Sequence, residues 1–73
     1  MKIAILGSGG AGGYFGARLA KAGHEVHFLA RGAHLAALQS SGIQIKSIKG
    51  DFSLSKVHAT DQIEEIGQVD LML

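Results

Sequence analysis

Hydrophobic and polar positions at the start of the chain change from a strand-like run to a helical spacing. Residues 2–6 form a short, mostly apolar run that stops at a glycine cluster, which is typical of a buried parallel strand. From residue 11 to residue 22 the apolar positions recur at helical spacing. The side chains expected on the core face of this helix are Phe15, Leu19 and Ala22, and those expected in water are Arg18 and Lys21.

The rest of the chain continues this alternation of strands and helices. Predicted strands span residues 25–30, 43–45 or 43–48, 52–57 and 69–73, and predicted helices span residues 33–39 and 61–66. We expect Gly23 and Gly42 to end the first two helices and Asp61 to cap the third. Residues 49–51 are expected to turn the chain into a hairpin. The order predicts an α/β fold: a βαβαβ unit with a parallel sheet, then a hairpin arm, a short helix and a last strand.

A glycine-rich segment joins the first predicted strand to the first predicted helix. It has the pattern G-x-G-x-x-G, which in this position of a βαβ unit indicates the phosphate loop of a Rossmann dinucleotide-binding fold. Gly7 permits a tight turn, Gly9 lets the backbone approach a pyrophosphate, and Gly12 lets the helix pack closely on the strand. Unpaired N–H groups at the helix N-terminus favour the phosphates. The predicted cofactor-binding residues of this loop are Gly7, Ser8, Gly9, Gly10, Ala11 and Gly12.

Arg31 follows the second predicted strand and indicates which dinucleotide binds. An NAD-binding domain usually has an acid here, about 20 residues after the loop, to hold the ribose 2′-hydroxyl. Glu25 fits the count, but it begins the strand and lies roughly 20 Å from the ligand-binding end. We expect no acid at that end to repel a 2′-phosphate, and arginine can hold phosphate with two parallel hydrogen bonds. The sequence therefore predicts NADP(H), with Arg31 as a cofactor-binding residue.

Composition excludes several other kinds of function. The seven basic residues are scattered and the formal charge is +1, so we expect neither nucleic acid nor a membrane as a partner. Zero cysteine fits a reducing compartment, and we expect a cytoplasmic protein. His24 and His27 lack a third ligand of the kind that a zinc site requires, so no metal is predicted. We expect His24 and His58 to be solvated, and we assign no catalytic residue.

The length of the chain bears on its completeness. It has 73 residues, and residues 69–73 form an apolar run with no turn or cap after it. We interpret residues 1–73 as part of a Rossmann NADP-binding domain, with the remainder of the domain and a helical substrate domain outside this chain. The alternative is a small complete domain, which at this size usually needs disulfides or a metal.

Three segments resemble the ketopantoate reductases (2-dehydropantoate 2-reductases): residues 1–19, 22–26 and 30–35, the last reading Ala-Arg-Gly-Ala-His-Leu. The resemblance implies NADPH-dependent reduction of ketopantoate to pantoate, in pantothenate biosynthesis. By motif position it implies that Gly7, Gly9, Gly12 and Arg31 bind the cofactor, while the family's catalytic groups lie outside these 73 residues. Many members have a bulky aliphatic residue where this chain has Ala11 or Gly13, which leaves a related 2-keto acid reductase open.

Two other interpretations use the same glycine loop. A dinucleotide-sensing regulatory domain without catalysis would have a similar βαβ unit, although an acid is expected there at the position of Arg31. A non-catalytic scaffold built on a degenerate unit is the third. The partner expected for the enzyme is a small 2-keto acid, and the sequence leaves open whether the protein is a homo-oligomer.

Overall fold

Strands and helices alternate along the part of the chain that the computed structural model describes, residues 1–7 and 10–73. In chain order the elements are β1 (Lys2–Ile5), α1 (Gly10–Lys21), β2 (Glu25–Leu29), α2 (Gly32–Ser41), β3 (Ile43–Ile45), β4 (Phe52–Leu54), β5 (His58–Thr60), α3 (Ile63–Ile66) and β6 (Leu71–Met72). Within the described residues a parallel sheet has the strand order β5-β2-β1-β6, and β3 pairs with β4 in an antiparallel hairpin. The predicted α/β class, with a parallel sheet and a hairpin arm, is confirmed.

The third strand of the βαβαβ unit is β5, which the hydrophobic pattern does not predict. It pairs in parallel with β2, with His27 opposite His58 and Leu29 opposite Thr60. The earlier strand β3 pairs only with β4 among the described residues and belongs to the hairpin. Strand β5 has three residues, of which one is exposed and two are half-buried, so it lacks the apolar run by which a buried strand is identified.

The core lies where α1 meets one face of the parallel sheet. Its buried residues include Ile3, Ile5, Ala17, Val26 and Phe28. A Cβ at Gly16 would lie 2.5 Å from Cε1 of Phe28 and 3.0 Å from Cγ1 of Ile5, so the helix approaches the sheet through small residues. The predicted core positions of Phe15, which is 59% exposed, and of Ala22, which is exposed, are therefore wrong. At this separation there is no room for a phenylalanine between helix and sheet.

Gly42 ends α2, as predicted, and joins the helix to the hairpin. Its N–H donates to the Leu38 carbonyl oxygen at 3.1 Å, which ends the helix, and its φ is +71°. A Cβ at this position would overlap the carbonyl oxygen of Leu54 at the end of β4. Both the backbone conformation and the close approach of the hairpin therefore require glycine here.

The crossover from β5 to β6 differs from the prediction at the start of α3. The residue at the N-cap is Gln62, and the helix begins at Ile63, so the predicted capping role of Asp61 is wrong. The backbone N–H of Gln62 donates instead to Oγ1 of Thr60 at 3.1 Å. Among the described residues no helix has the length and apolarity needed to cross a membrane.

Candidate functional site

The carboxyl ends of three parallel strands meet at one edge of the sheet. Strands β1 and β2 pair up to Ile5 and Phe28, and β2 and β5 pair up to Leu29 and Thr60. The N–H of Ala30 donates to the Thr60 carbonyl oxygen at 3.0 Å, so the chain leaves β2 beside the exit of β5. Open α/β sheets bind their ligands at this edge, which makes it the candidate functional site.

The glycine-rich loop leaves β1 at this edge. Gly7 is exposed and lies two residues after the end of β1. Helix α1 begins at Gly10, and Ser8 and Gly9 lie outside the described residues. A Cβ at Gly12 would overlap the carbonyl oxygen of Gly7 and would lie 2.8 Å from the carbonyl carbon. The helix can therefore start this close to the strand only with glycine at position 12, which is the packing role predicted for that residue. Of Ala11 the backbone alone is described, as part of α1, and phosphate binding by the loop stays a prediction.

Arg31 occupies the next position along the edge. It is the N-cap of the ten-residue helix α2, with an extended backbone, and its side chain makes no capping hydrogen bond. The residue is exposed, and no carboxylate among the described residues forms an ion pair with it. Its guanidinium therefore adds a full positive charge to the positive end of a helix dipole, a combination that favours an anionic group.

Arg31 shares a cavity of about 310 Å³ with a carboxylate from the neighbouring strand. The residues that line the cavity are Leu6, Leu29, Ala30, Arg31, His34 and Asp61. Asp61 directly follows β5 and is exposed. The expectation that this end of the sheet lacks an acid is therefore wrong, because β5 brings an acid to the cavity from 30 positions further along the chain. The signal available in the sequence was the short segment of residues 58–60 with Asp61 directly after it.

Glu25, the acid that simple counting selects, lies at the opposite edge of the sheet. It begins β2 and pairs in register with Lys2, the first residue of β1. Its Oε2 lies 2.7 Å from Nε2 of His27 and 3.8 Å from Nζ of Lys2. The hydrogen bond with His27 lowers the pKa of Glu25 below its ordinary value. Glu25 therefore forms a polar cluster at the amino edge and does not belong to the candidate site.

The remaining histidines show no metal site among the residues that the structure describes. The rings of His27 and His58 stack, with centroids 4.6 Å apart and an angle of 18° between the planes. His58 is exposed, as predicted, whereas His24 is half-buried and not fully solvated. No group of three or more metal-binding side chains occurs within the described residues.

The parallel sheet, its crossovers and the glycine-rich first turn define the class: a Rossmann-like α/β fold. The family model described as Ketopantoate reductase PanE/ApbA matches residues 3–73. The chain belongs to the ketopantoate reductase family.

Individual relatives agree with this assignment. The chain is 42% identical over 74 residues to a 2-dehydropantoate 2-reductase of Mesorhizobium japonicum and 39% identical over 72 residues to one of Nostoc sp.. It covers 22% of the length of each, while 100% and 99% of the chain is matched. The crystal structure of 2-dehydropantoate 2-reductase from Geobacter metallireducens superposes with a TM-score of 0.92 at 43% identity, over 99% of this chain and 24% of that one.

Proposed function

We propose that this chain is the cofactor-binding part of an NADPH-dependent 2-keto acid reductase that converts ketopantoate to pantoate. The relatives named 2-dehydropantoate 2-reductase support the reaction. The observation that carries the choice of cofactor is the exposed Arg31 at the N-terminus of α2, at the ligand-binding edge of the sheet. A guanidinium at that position favours a dinucleotide with a 2′-phosphate over one with a 2′-hydroxyl.

The residues at the edge fit a dinucleotide phosphate. Because Gly12 carries no Cβ, α1 starts directly over the carbonyl group of Gly7, and the N-terminal N–H groups of the helix can face a pyrophosphate. The residues proposed to hold the pyrophosphate are Gly7, Ser8, Gly9, Gly10, Ala11 and Gly12, and Arg31 is proposed to hold the 2′-phosphate. When bound, the cofactor supplies the hydride, and these residues fix its position.

The proposal assigns no catalytic residue to this chain. Reduction of a ketone needs a group that polarises the carbonyl and protonates its oxygen, and we assign this role to none of the described residues at the candidate edge. We propose that the remainder of the dinucleotide-binding domain and a helical substrate domain supply these groups from outside residues 1–73. The 73 residues alone are then inactive, and the parent protein is a cytoplasmic enzyme whose partner is a small 2-keto acid.

Substitution of Arg31 by alanine tests the cofactor assignment. Hydrogen bonds to charged groups contribute about 1.5–3 kcal/mol, so Arg31→Ala should weaken NADPH binding by about tenfold to over a hundredfold. NADH lacks the 2′-phosphate, and its affinity should hardly change. Arg18→Ala, which removes an exposed arginine from the last turn of α1, is the matched control and should leave both affinities unchanged. Calorimetric titration of the full-length protein measures them, and equal losses for both cofactors in Arg31→Ala would contradict the assignment.

A comparison of keto acids tests the reaction. We expect kcat/KM for NADPH oxidation to be higher with ketopantoate than with 2-ketoisovalerate, which lacks the hydroxyl group. A site built to hydrogen-bond a substrate hydroxyl rejects the analogue without it, because its own polar group is then left unpaired. Equal or faster reduction of 2-ketoisovalerate would contradict ketopantoate as the substrate. If neither acid is reduced while NADPH binds, a dinucleotide-sensing domain becomes the better explanation.

A further inference from the structure

We propose that Asp61 recognises the adenine ring of the bound cofactor by accepting a hydrogen bond from its 6-amino group. The inference rests on the proposed NADPH binding and adds to it a residue that reads the base. It comes from the cavity that Asp61 shares with Arg31 at the carboxyl edge of the sheet.

The order of the strands puts Asp61 at the right distance from the glycine loop. Along the carboxyl edge of the sheet, the end of β2 lies next to the end of β1, and the end of β5 lies beyond that of β2. At about 4.8 Å per strand, Asp61 lies about 10 Å from the exit of β1. A dinucleotide whose pyrophosphate lies at the loop extends its adenosine half along this edge, with the ribose near Arg31 and the base beyond it. The outermost strand is therefore the one that meets the base.

The cavity has the surface that a purine needs. Leu6, which is 41% exposed, gives it an apolar wall together with Leu29 and Ala30. An aromatic ring can cover this apolar surface and stack against the planar guanidinium of Arg31. At the rim, the ionised carboxylate of Asp61 is an acceptor only, so it complements a donor such as an exocyclic amine.

The fold leaves the carboxylate of Asp61 without a structural task among the described residues. It does not cap α3, because Gln62 is the N-cap and its N–H is bound by Oγ1 of Thr60. The side-chain contact of Asp61 is a hydrogen bond from Nε2 of the adjacent Gln62 at 3.3 Å, on an exposed surface. Such a bond contributes little to stability, and the carboxylate keeps acceptor capacity for a ligand.

The charges in the cavity separate the base from the 2′-phosphate. A phosphate is attracted to Arg31 and to the N-terminus of α2, and it is repelled by Asp61. The phosphate therefore takes the β2 side of the cavity and leaves the β5 side to an uncharged donor. The ribose 3′-hydroxyl is also a donor, but it is adjacent to the 2′-phosphate and stays with it on the side of Arg31. The donor that the adenosine half offers to the β5 side is therefore the 6-amino group of adenine.

The test compares NADPH with its purine analogue, in which a hydrogen atom replaces the 6-amino group, so that this edge of the base has no donor. Calorimetric titration of the full-length protein gives the dissociation constants of both, for wild type, Asp61→Ala and Asp61→Asn. Asp61→Ala should weaken NADPH by about tenfold or more and leave the purine analogue nearly unchanged, since only the amine loses its acceptor. Asp61→Asn keeps an amide oxygen that can accept from the amine, so it should lose less NADPH affinity than Asp61→Ala does. Glu64→Gln, which removes an exposed charge from α3, is the control and should change neither constant.

Each other outcome overturns the proposal. Equal losses for NADPH and its analogue in Asp61→Ala would mean that the carboxylate does not read the base. A gain in NADPH affinity in both variants would mean that Asp61 acts on the 2′-phosphate instead. In these two cases NADPH still binds and the proposed function stands. Failure of the wild-type protein to bind NADPH would overturn the proposed function and this inference together.

Discussion

Substitution of Gly12 by alanine should displace the backbone of the proposed phosphate loop, and its effect on NADPH affinity can be compared with its effect on the free energy of unfolding. The added Cβ would overlap the Gly7 carbonyl oxygen and lie 2.8 Å from the carbonyl carbon, inside the 3.0 Å that real Cβ atoms essentially never cross. Backbone atoms cannot rotate out of the way as a side chain can. Either the start of α1 or the loop after β1 must move, and both carry the N–H groups proposed to bind phosphate.

The expected losses follow from this displacement. Overpacking costs about 1–3 kcal/mol, and the helix propensity of alanine returns about 1 kcal/mol, so Gly12→Ala should lower the free energy of unfolding by about 2 kcal/mol at most. Loss of a single hydrogen bond to a charged phosphate costs about 1.5–3 kcal/mol in binding, equivalent to a tenfold to over a hundredfold rise in the NADPH dissociation constant. Gly12→Ala should therefore show a tenfold or larger binding defect in addition to its stability defect.

Gly16→Ala is the matched control, four residues further along the same helix. Its Cβ would lie 2.5 Å from Cε1 of Phe28 and 3.0 Å from Cγ1 of Ile5, so it meets core side chains and not the loop. It should destabilise the fold by no more than Gly12→Ala does and keep NADPH affinity within about threefold, since the loop backbone is untouched. Urea unfolding and calorimetric titration measure the two quantities. The reasoning fails if Gly12→Ala binds NADPH as tightly as wild type, or if Gly16→Ala loses as much affinity.

Two further predictions concern other parts of the fold. The hydrogen bond with His27 lowers the pKa of Glu25, so the ionised carboxylate stabilises the fold above the ordinary pKa of 4.5, and this contribution is lost as the pH falls through the lower folded pKa. The difference in urea midpoint between wild type and Glu25→Gln should therefore vanish on acidification. A difference that stays constant with pH would contradict this. Gly42→Ala should lower the unfolding temperature more than Gly23→Ala does. Both positions have positive φ, but only the Cβ at Gly42 would also overlap the Leu54 carbonyl oxygen. Equal decreases in unfolding temperature would contradict that close approach.

Sequence patterns predict the two central strands well because both bury apolar side chains. Strand β1 has three fully buried residues in succession, from Ile3 to Ile5, and its apolar run is bounded by glycine. Strand β2 alternates between buried and more exposed positions. Both strands are flanked by parallel neighbours, so their sequences must be apolar enough to identify them. Because the apolar run identifies β1, the glycine-rich segment after it can be placed between β1 and α1.

The pattern fails where the burial is partial or where the buried residues are small. Phe15 has the spacing of a core residue, yet α1 meets the sheet through Gly16 and Ala17. A periodicity judged from large side chains selects the wrong face of a helix that packs through glycine and alanine. Strand β5 has no fully buried residue, so its pairing with β2 is a property of the tertiary fold that its own three residues do not encode.

Strand β5, which the hydrophobic pattern does not predict, adds a residue to the candidate site. Spacing rules place the selective residue at the end of the second strand, and Arg31 fits them. Residues meet at the edge of a sheet when their strands are neighbours in space, whatever their separation in sequence. Strand β5 lies next to β2, so Asp61 lines the same cavity as Arg31. An acid beside an arginine at such an edge would suggest a mixed preference for cofactors with and without a 2′-phosphate. Arg31 stands at a helix N-terminus and Asp61 follows the outer strand, so we expect the two charges to face different parts of one ligand. The Asp61 variants distinguish these two arrangements.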